Sequence, residues 1–252
     1  MLSNLRTQFR LRDLPFLSSN GAARITLLLG ELQLADTTQV KAMSPLRFLL
    51  LVKIIKQINL DNLLHLQEAT ALAFAQNALL RTAEATSGLR AEDFVWKDDN
   101  RSVIVHLKPT KTVRSGAGVF LEIHIASHPY SGIRLLRRLW DARHLDIHPR
   151  DFVFCRIDHR SSGGTLIPSA PATGNAYRRL IKRLVLTIGL DPHWYSGHSL
   201  RSGGATDLFA TGTPYYVIKK FGRWTSDAAL LYFRSEADVA RQASKAFNVM
   251  VK

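Results

Sequence analysis

The stretch GHSLRSGGATDLFATG, from Gly197 to Gly212, contains two adjacent glycines where the surrounding residues favour a helix. Ser196 and Gly197 are suited to the start of that helix. Glycine is about 1 kcal/mol less favourable than alanine inside a helix, so Gly203 and Gly204 indicate that another backbone element approaches closely. The helix is therefore expected to pack against its neighbours rather than lie free on the surface.

Most of the remaining chain shows helical periodicity. Ser44 and Pro45 predict an N-cap and a first helical residue for a helix that ends near Ile58. Apolar residues then recur at three- and four-residue spacing from about 60 to 83, which indicates a second helix. Amphipathic helices are expected again at 132–143 and 174–189.

Two segments in the middle of the chain follow a different pattern. Residues 102–108 and 118–125 are rich in β-forming side chains, and the polar segment PTKTVRSGA separates them. This arrangement predicts an antiparallel hairpin. The expected fold class is α+β, mainly α, with a small antiparallel β-sheet.

The charge of the chain indicates a polyanionic partner. Among 252 residues, 46% are hydrophobic, which is enough for a sizeable core, while the net charge is +14. Residues 1–126 carry 15 basic and 11 acidic side chains (+4), and residues 127–252 carry 19 and 9 (+10). Nucleic acid is the commonest partner for such a field, and the alternative is a solvated basic surface without function.

Several classes of site are not expected. Cys155 is the only cysteine, so the sequence predicts neither a disulfide framework nor a thiolate metal site, and a reducing compartment is expected. The apolar run at 48–55 contains Lys53 and is too short to cross a bilayer. The histidines show no paired ligand spacing, so no metal and no cofactor are expected.

Basic side chains on two helices are candidates for contact with a polyanion. In GNAYRRLIKRLVLTIG they alternate with apolar residues that can pack on the opposite face. Others lie near a second predicted helix, YYVIKKFG. The candidate DNA-binding residues are Arg178, Arg179, Lys182, Arg183, Lys219, Lys220 and Arg223.

A candidate phosphate site lies at the start of the helix that contains the two glycines. His198 and Arg201 are three residues apart and share one helix face. The unbonded N–H groups and the positive dipole end of the first turn add to these donors. The pair alone is also compatible with two unrelated surface residues.

Together with other motifs, this pair resembles a known family. NALLRTAEATSGLRAEDF, PTKT, HSLR, GRW and LLYFR occur in the order and approximate spacing of the tyrosine recombinase (phage integrase) family, over roughly residues 41–240. GRWTSDAALLYFR is most similar to the branch in eukaryotic mobile elements. The resemblance implies the DNA breaking-rejoining catalytic fold over 41–252, and residues 1–40 would be a short leader, a possible remnant of a core-binding domain.

The resemblance also implies roles at the phosphate. Arg81 and Arg201 would hold the non-bridging oxygens of the scissile DNA phosphate, and His198 would act as a base or hydrogen-bond donor. Trp224 would donate its indole N–H, because it cannot transfer a proton as histidine does. Glu84 would support the site by orienting a basic partner.

Two further residues would carry the covalent chemistry. Tyr232 would be the nucleophile that forms a 3′-phosphotyrosyl intermediate, and Lys111 at the hairpin tip would be the general acid for the leaving 5′ oxygen. Lys108 lies near the same turn and remains an alternative to Lys111.

The family resemblance predicts a site-specific recombinase or integrase that acts on double-stranded DNA without a cofactor. A homotetramer on DNA and a monomer in its absence are expected, with no membrane association. The location would be the nucleus in a eukaryote, or the cytoplasm or nucleoid in a prokaryote or phage. The alternative is a non-catalytic DNA-binding remnant, truncated at its N-terminus.

Overall fold

The computed structural model describes residues 43–86, 88–97, 100–108, 118–160, 163–227 and 230. The leader at 1–40, Lys111 and Tyr232 lie outside the described residues. The elements within them follow in this order: α1 (Phe48–Ile55), α2 (Leu63–Asn77), α3 (Thr82–Thr86), a 3-10 turn (Ala91–Asp93), β1 (Phe94–Trp96), β2 (Ser102–Leu107), β3 (Val119–His124), α4 (Gly132–Ala142), β4 (Cys155–Asp158), β5 (Thr165–Pro171), α5 (Gly174–Leu186), a 3-10 turn (Pro192–Trp194), α6 (Gly197–Ala210) and α7 (Tyr215–Phe221).

Helix α1 begins later than the sequence predicts. Ser44 and Pro45 belong to an extended segment whose backbone pairs with the region around α6, through a bond from Leu46 N to Ser199 O of 2.8 Å. The carboxylate of Asp207 then accepts the N–H of Phe48 at 2.6 Å, so α6 supplies the cap of α1. A tertiary contact therefore replaces the local cap that the Ser-Pro pair indicates.

The long second helix predicted from the sequence is two helices. Asn62 caps α2 by accepting the N–H groups of Leu64 and His65. After α2 ends, Leu79 has a φ of 47°, a left-handed conformation that stops helical propagation before α3 begins. The apolar periodicity continues through this break, so the sequence pattern does not indicate that the helix ends there.

The predicted hairpin is confirmed by the structure. Strands β2 and β3 pair antiparallel, with Ser102 opposite His124 and Leu107 opposite Val119. Strand β1 adds to the edge of β2 and completes a three-stranded sheet. A second, two-stranded sheet of β4 and β5 was not predicted, because its polar residues resemble a loop.

Helix α2 lies at the centre of the core. It packs along α4 and also contacts α1 and α6, and eleven of its residues are buried. The ring of Phe74 lies 5.9 Å from that of Phe94 and 5.8 Å from that of Phe154, which joins both sheets to the helical layer. None of the helices in the described ranges is long and apolar enough to cross a membrane.

The expected close approach at the glycine pair is confirmed. A Cβ atom on Gly203 would collide with the carbonyl of Leu46, and one on Gly204 would collide with the carbonyl of Gln76. Ser196 caps α6 by accepting the N–H of His198 at 3.3 Å, and its own N–H bonds to Ser199 Oγ at 3.0 Å. Helix α6 therefore lies directly against the start of α1 and the end of α2.

Candidate active site

Glu84 organises the candidate site from a buried position on α3. Its side chain is only 2% exposed. Its Oε1 accepts Arg81 Nη1 at 2.7 Å, and its Oε2 accepts the Arg81 backbone N–H at 2.8 Å. Oε2 also accepts Arg223 Nη2 at 2.8 Å. The expected supporting role of Glu84 corresponds to this geometry, because one carboxylate orients two guanidinium groups.

The electrostatics of Glu84 follow from these contacts. Burial alone would raise the pKa of its carboxyl group. The charge and hydrogen bond of Arg223, followed by those of Arg81, outweigh burial and hold the pKa below its ordinary value. Glu84 is therefore ionised at neutral pH and forms ion pairs with both arginines.

Arg201 enters the same cluster from the second turn of α6. It is 2% exposed, and its Nη1 donates to the carbonyl of Leu79 while its Nη2 donates to the carbonyl of Gly222 at 2.5 Å. The left-handed conformation of Leu79 aims that carbonyl into the cluster. Arg201 thus connects α6 to the turn after α2 and to the turn after α7.

Trp224 covers Arg201. The guanidinium carbon of Arg201 lies 4.0 Å from the centre of the Trp224 ring, in cation–π geometry. Gly222 lies under the same ring, where any side chain would collide with it. The indole also borders a small apolar cluster formed by Leu79, Ala205 and Ile218. The structure therefore places Trp224 next to Arg201, one of the two arginines that the sequence analysis assigns to the phosphate.

His198 lies one turn before Arg201 and is exposed at the start of α6. Desolvation, and then the nearby charge of Arg201, lower the pKa of His198 below its ordinary value. The imidazole is therefore neutral at neutral pH and able to accept a proton.

The two predicted residues of the covalent chemistry are not among those described. Tyr232 follows the last described residue, 230, and Lys111 lies in the hairpin segment 109–117. Lys108 is described, and its Nζ forms a 3.0 Å ion pair with Asp93, whose side chain is buried. No local pattern indicates this pairing, because Lys108 follows β2 whereas Asp93 lies in the 3-10 turn before β1.

The predicted basic face of α5 is exposed. Arg178, Arg179, Lys182 and Arg183 are all on the surface, and Arg183 forms a 2.5 Å ion pair with Glu68. A cavity of about 720 Å³ runs between α2, α5 and the second sheet. Its rim includes basic residues that the sequence analysis did not select: Arg156 and His159, beside Arg179, Lys182 and Arg183.

The basic residues around α7 differ from one another. Lys220 is exposed, whereas Lys219 forms a 2.6 Å ion pair with Asp227. Arg223, a candidate DNA-binding residue in the sequence analysis, has a side chain only 9% exposed, with its terminal nitrogens bonded to Glu84 and to backbone carbonyls. This position inside the cluster is not that of an exposed DNA contact, and no feature of the sequence distinguished Arg223 from its basic neighbours.

No cluster of three or more potential metal-ligating side chains occurs in the part of the chain that the structure describes.

Comparison with known proteins identifies the family. Residues 48–238 match the sequence model of the phage integrase family. Over 177 residues the chain is 28% identical to the recombinase Cre of Escherichia phage P1, covering 67% of this chain and 49% of that protein. The chain thus spans about half the length of this relative.

Solved structures show the same fold. The site-specific recombinase XerH bound to a palindromic difH substrate, in a post-cleavage complex, has a TM-score of 0.61 at 15% identity, covering 84% of this chain and 56% of that one. The Tn1549 transposon integrase in complex with transposon right end DNA has a TM-score of 0.57 at 18% identity, covering 84% and 67%. Since the family match covers more than half of the chain, this protein belongs to the phage integrase family and has the tyrosine-recombinase catalytic fold.

Proposed function

We propose that this chain cleaves and rejoins double-stranded DNA through a covalent phosphotyrosyl intermediate, as a site-specific recombinase or integrase. The observation that carries the proposal is the cluster around Glu84, which brings together Arg81, Arg201 and Trp224 from three separate parts of the chain. A structural core has no need to bring the two arginines, Arg81 and Arg201, together in this way. A phosphate that gains charge during its displacement does need them.

The proposed reaction is a transesterification. The Tyr232 oxygen attacks the scissile phosphorus, a P–O bond to tyrosine forms, and the P–O5′ bond breaks. The departing 5′ oxygen takes a proton from Lys111, and the proton of the tyrosine hydroxyl passes to a base. The phosphodiester energy stays in the phosphotyrosine ester, so attack by a 5′ hydroxyl reverses the steps and reseals the strand.

The cluster supports a division of roles around the phosphate. The Arg81 side chain is 30% exposed and is therefore the more accessible of the two, while Arg201 lies deeper, beneath Trp224. His198 is the candidate base, because its lowered pKa keeps it neutral. The indole N–H of Trp224 is a further candidate donor to the phosphate.

The ion pair of Lys108 supports Lys111 as the general acid. Pairing with the buried carboxylate of Asp93 gives the Lys108 ammonium a protein partner next to β1 and holds it there. Lys111, three residues further along the hairpin, is left as the candidate donor.

Contact with DNA is proposed for the basic face of α5 and the adjacent cavity. Arg178, Arg179 and Lys182 are exposed on that helix, and Arg156 lies across the cavity on the second sheet. Arg183 lies on the same helix and pairs with Glu68. Lys220 on α7 is a separate exposed candidate, and Lys219 would become available to DNA if its contact with Asp227 opened. Such a surface contacts the phosphate backbone, which fixes the position of the DNA but does not select its base sequence.

Assembly of four chains on two DNA duplexes follows from the proposal, because each chain supplies one tyrosine and an exchange needs four.

Trapping of the covalent intermediate tests the proposal. A pool of nicked duplexes with randomised core sequence is incubated with the protein in EDTA, so that cleavage releases a short fragment and cannot reverse. We expect a denaturation-resistant protein–DNA adduct whose DNA-bearing peptide contains Tyr232. The matched control is Tyr232→Phe, which removes only the nucleophilic oxygen. Salt-sensitive binding of the pool by folded protein without any adduct would refute the catalytic proposal and favour a DNA-binding remnant.

A further inference from the structure

Arg223 adopts a backbone conformation that is uncommon for its residue type. It lies between Gly222 and Trp224 with a φ of 59°, in the left-handed region. For a residue with a Cβ atom this conformation is strained, so it persists where other contacts fix it. The contacts that fix it come from its own side chain.

The guanidinium of Arg223 bonds to two separate parts of the chain. Its Nη1 donates to the carbonyls of Phe221 at 2.9 Å and Ala78 at 3.3 Å. Its Nη2 donates to the carbonyl of Leu79 at 3.0 Å and to Glu84 Oε2 at 2.8 Å. Arg223 therefore ties the turn after α7 to the turn after α2 and to α3.

The backbone of Arg223 adds a contact in the opposite direction. Its carbonyl accepts Arg81 Nη2 at 3.3 Å. Arg81 is thus held from both sides, by Glu84 and by the Arg223 backbone. Without the Arg223 side chain, Glu84 Oε2 loses its bond from Arg223 Nη2, and the turn that supports Trp224 loses the side-chain bonds to Leu79 and Glu84.

We propose that Arg223 is a positioning residue, which fixes Arg81 through the shared carboxylate of Glu84 and fixes Trp224 over Arg201 through the turn after α7. This inference rests on the proposed function, because its catalytic consequence concerns the phosphate site. It assigns Arg223 to the interior of the site rather than to the DNA surface. A side chain that is 9% exposed and has its terminal nitrogens bonded to protein acceptors is suited to that role.

Two variants test the assignment. Arg223→Gly removes the guanidinium and relieves the left-handed strain, so it separates the loss of contacts from backbone strain. Arg223→Lys keeps the charge but lacks the planar fork that serves four acceptors. The matched control is Arg138→Gln, which breaks a surface ion pair with Asp61. Each protein is assayed for adduct formation at saturating DNA and for DNA affinity across a salt series.

We expect adduct formation at saturating DNA to fall about tenfold to a hundredfold in both variants, because the phosphate-binding arginines are misplaced. The DNA dissociation constant should stay within about twofold of wild type, with an unchanged salt dependence. A direct phosphate contact would instead weaken binding and lower the salt slope by about 1. That result, or wild-type adduct formation in both variants, would overturn the proposal.

A double-mutant cycle separates this inference from the proposed function. Because Arg223 and Glu84 contact each other, the Tm decrease of Arg223→Gly combined with Glu84→Gln should be smaller than the sum of the single decreases. If wild type forms no adduct but the cycle shows this coupling, the catalytic proposal fails while the pairing of Arg223 with Glu84 stands. Additive Tm decreases would overturn the positioning role whatever the adduct assay shows.

Discussion

Replacing Gly203 by alanine tests the packing on which the candidate site depends. The added methyl group would overlap the carbonyl of Leu46 and lie about 3 Å from the backbone nitrogen of Arg47. The Leu46 backbone has little freedom to retreat. Its N–H bonds to Ser199 O at 2.8 Å, and its carbonyl accepts Gln76 Nε2 at 2.8 Å. Room for the methyl group therefore requires that one or both buried bonds lengthen or break.

The size of the effect follows from these contacts. Two buried hydrogen bonds contribute about 1 kcal/mol each, and a donor or acceptor left unsatisfied adds about 1 kcal/mol more, which gives about 3 kcal/mol. Alanine recovers about 1 kcal/mol through its higher helix propensity. The net destabilisation is about 2 kcal/mol, which lowers Tm by about 4–8 °C in a domain of this size.

Thermal unfolding followed by circular dichroism measures the effect. The matched control is Gly174→Ala in the first turn of α5, where an added Cβ would meet no atom closer than 3.7 Å, so Tm should be unchanged or higher. Helix α6 also carries Arg201, so Gly203→Ala should slow adduct formation along with the loss of stability. A Gly203→Ala protein at least as stable as wild type would refute the close approach.

Two further predictions concern charge. The pKa of His198 is lowered in the folded state, so its contribution to stability is present above its unfolded pKa of about 6.5 and is lost as the pH falls through the lowered value. On acidification, Tm should therefore decrease less for His198→Gln than for wild type. Parallel curves of Tm against pH for the two proteins would contradict this prediction. Lys182 is exposed on the proposed DNA-binding face of α5, so Lys182→Gln should reduce the salt slope of DNA binding by about 1. Binding titrations at several salt concentrations measure this slope. A slope equal to that of wild type would place Lys182 outside the interface.

The sequence predicts features that depend on local patterns. The β2–β3 hairpin, the cap at Ser196 and the need for close packing at Gly203 and Gly204 are all confirmed, because each is determined by neighbouring residues or by the absence of a side chain. The start of α1 was predicted incorrectly, because its cap comes from Asp207, far along the chain. Contacts between distant segments leave no local pattern.

Some residues of the candidate site could likewise be predicted from the sequence, and others could not. The family motifs selected Arg81, Glu84, Arg201 and Trp224, and the structure brings these residues together. The roles assigned to Lys111 and Tyr232 stay predictions. The burial of Arg223 could not be predicted, because a basic residue beside other basic residues resembles a surface residue until its partners are known.

The carbonyl of Leu79 accepts hydrogen bonds from both Arg201 and Arg223. Because one acceptor serves two cations, a displacement of either guanidinium changes what the other can reach. Substitutions at the two positions should therefore be coupled, because a change at one alters the set of residues tolerated at the other. An attempt to transplant this site into another member of the family should move the turn that contains Leu79 together with both arginines.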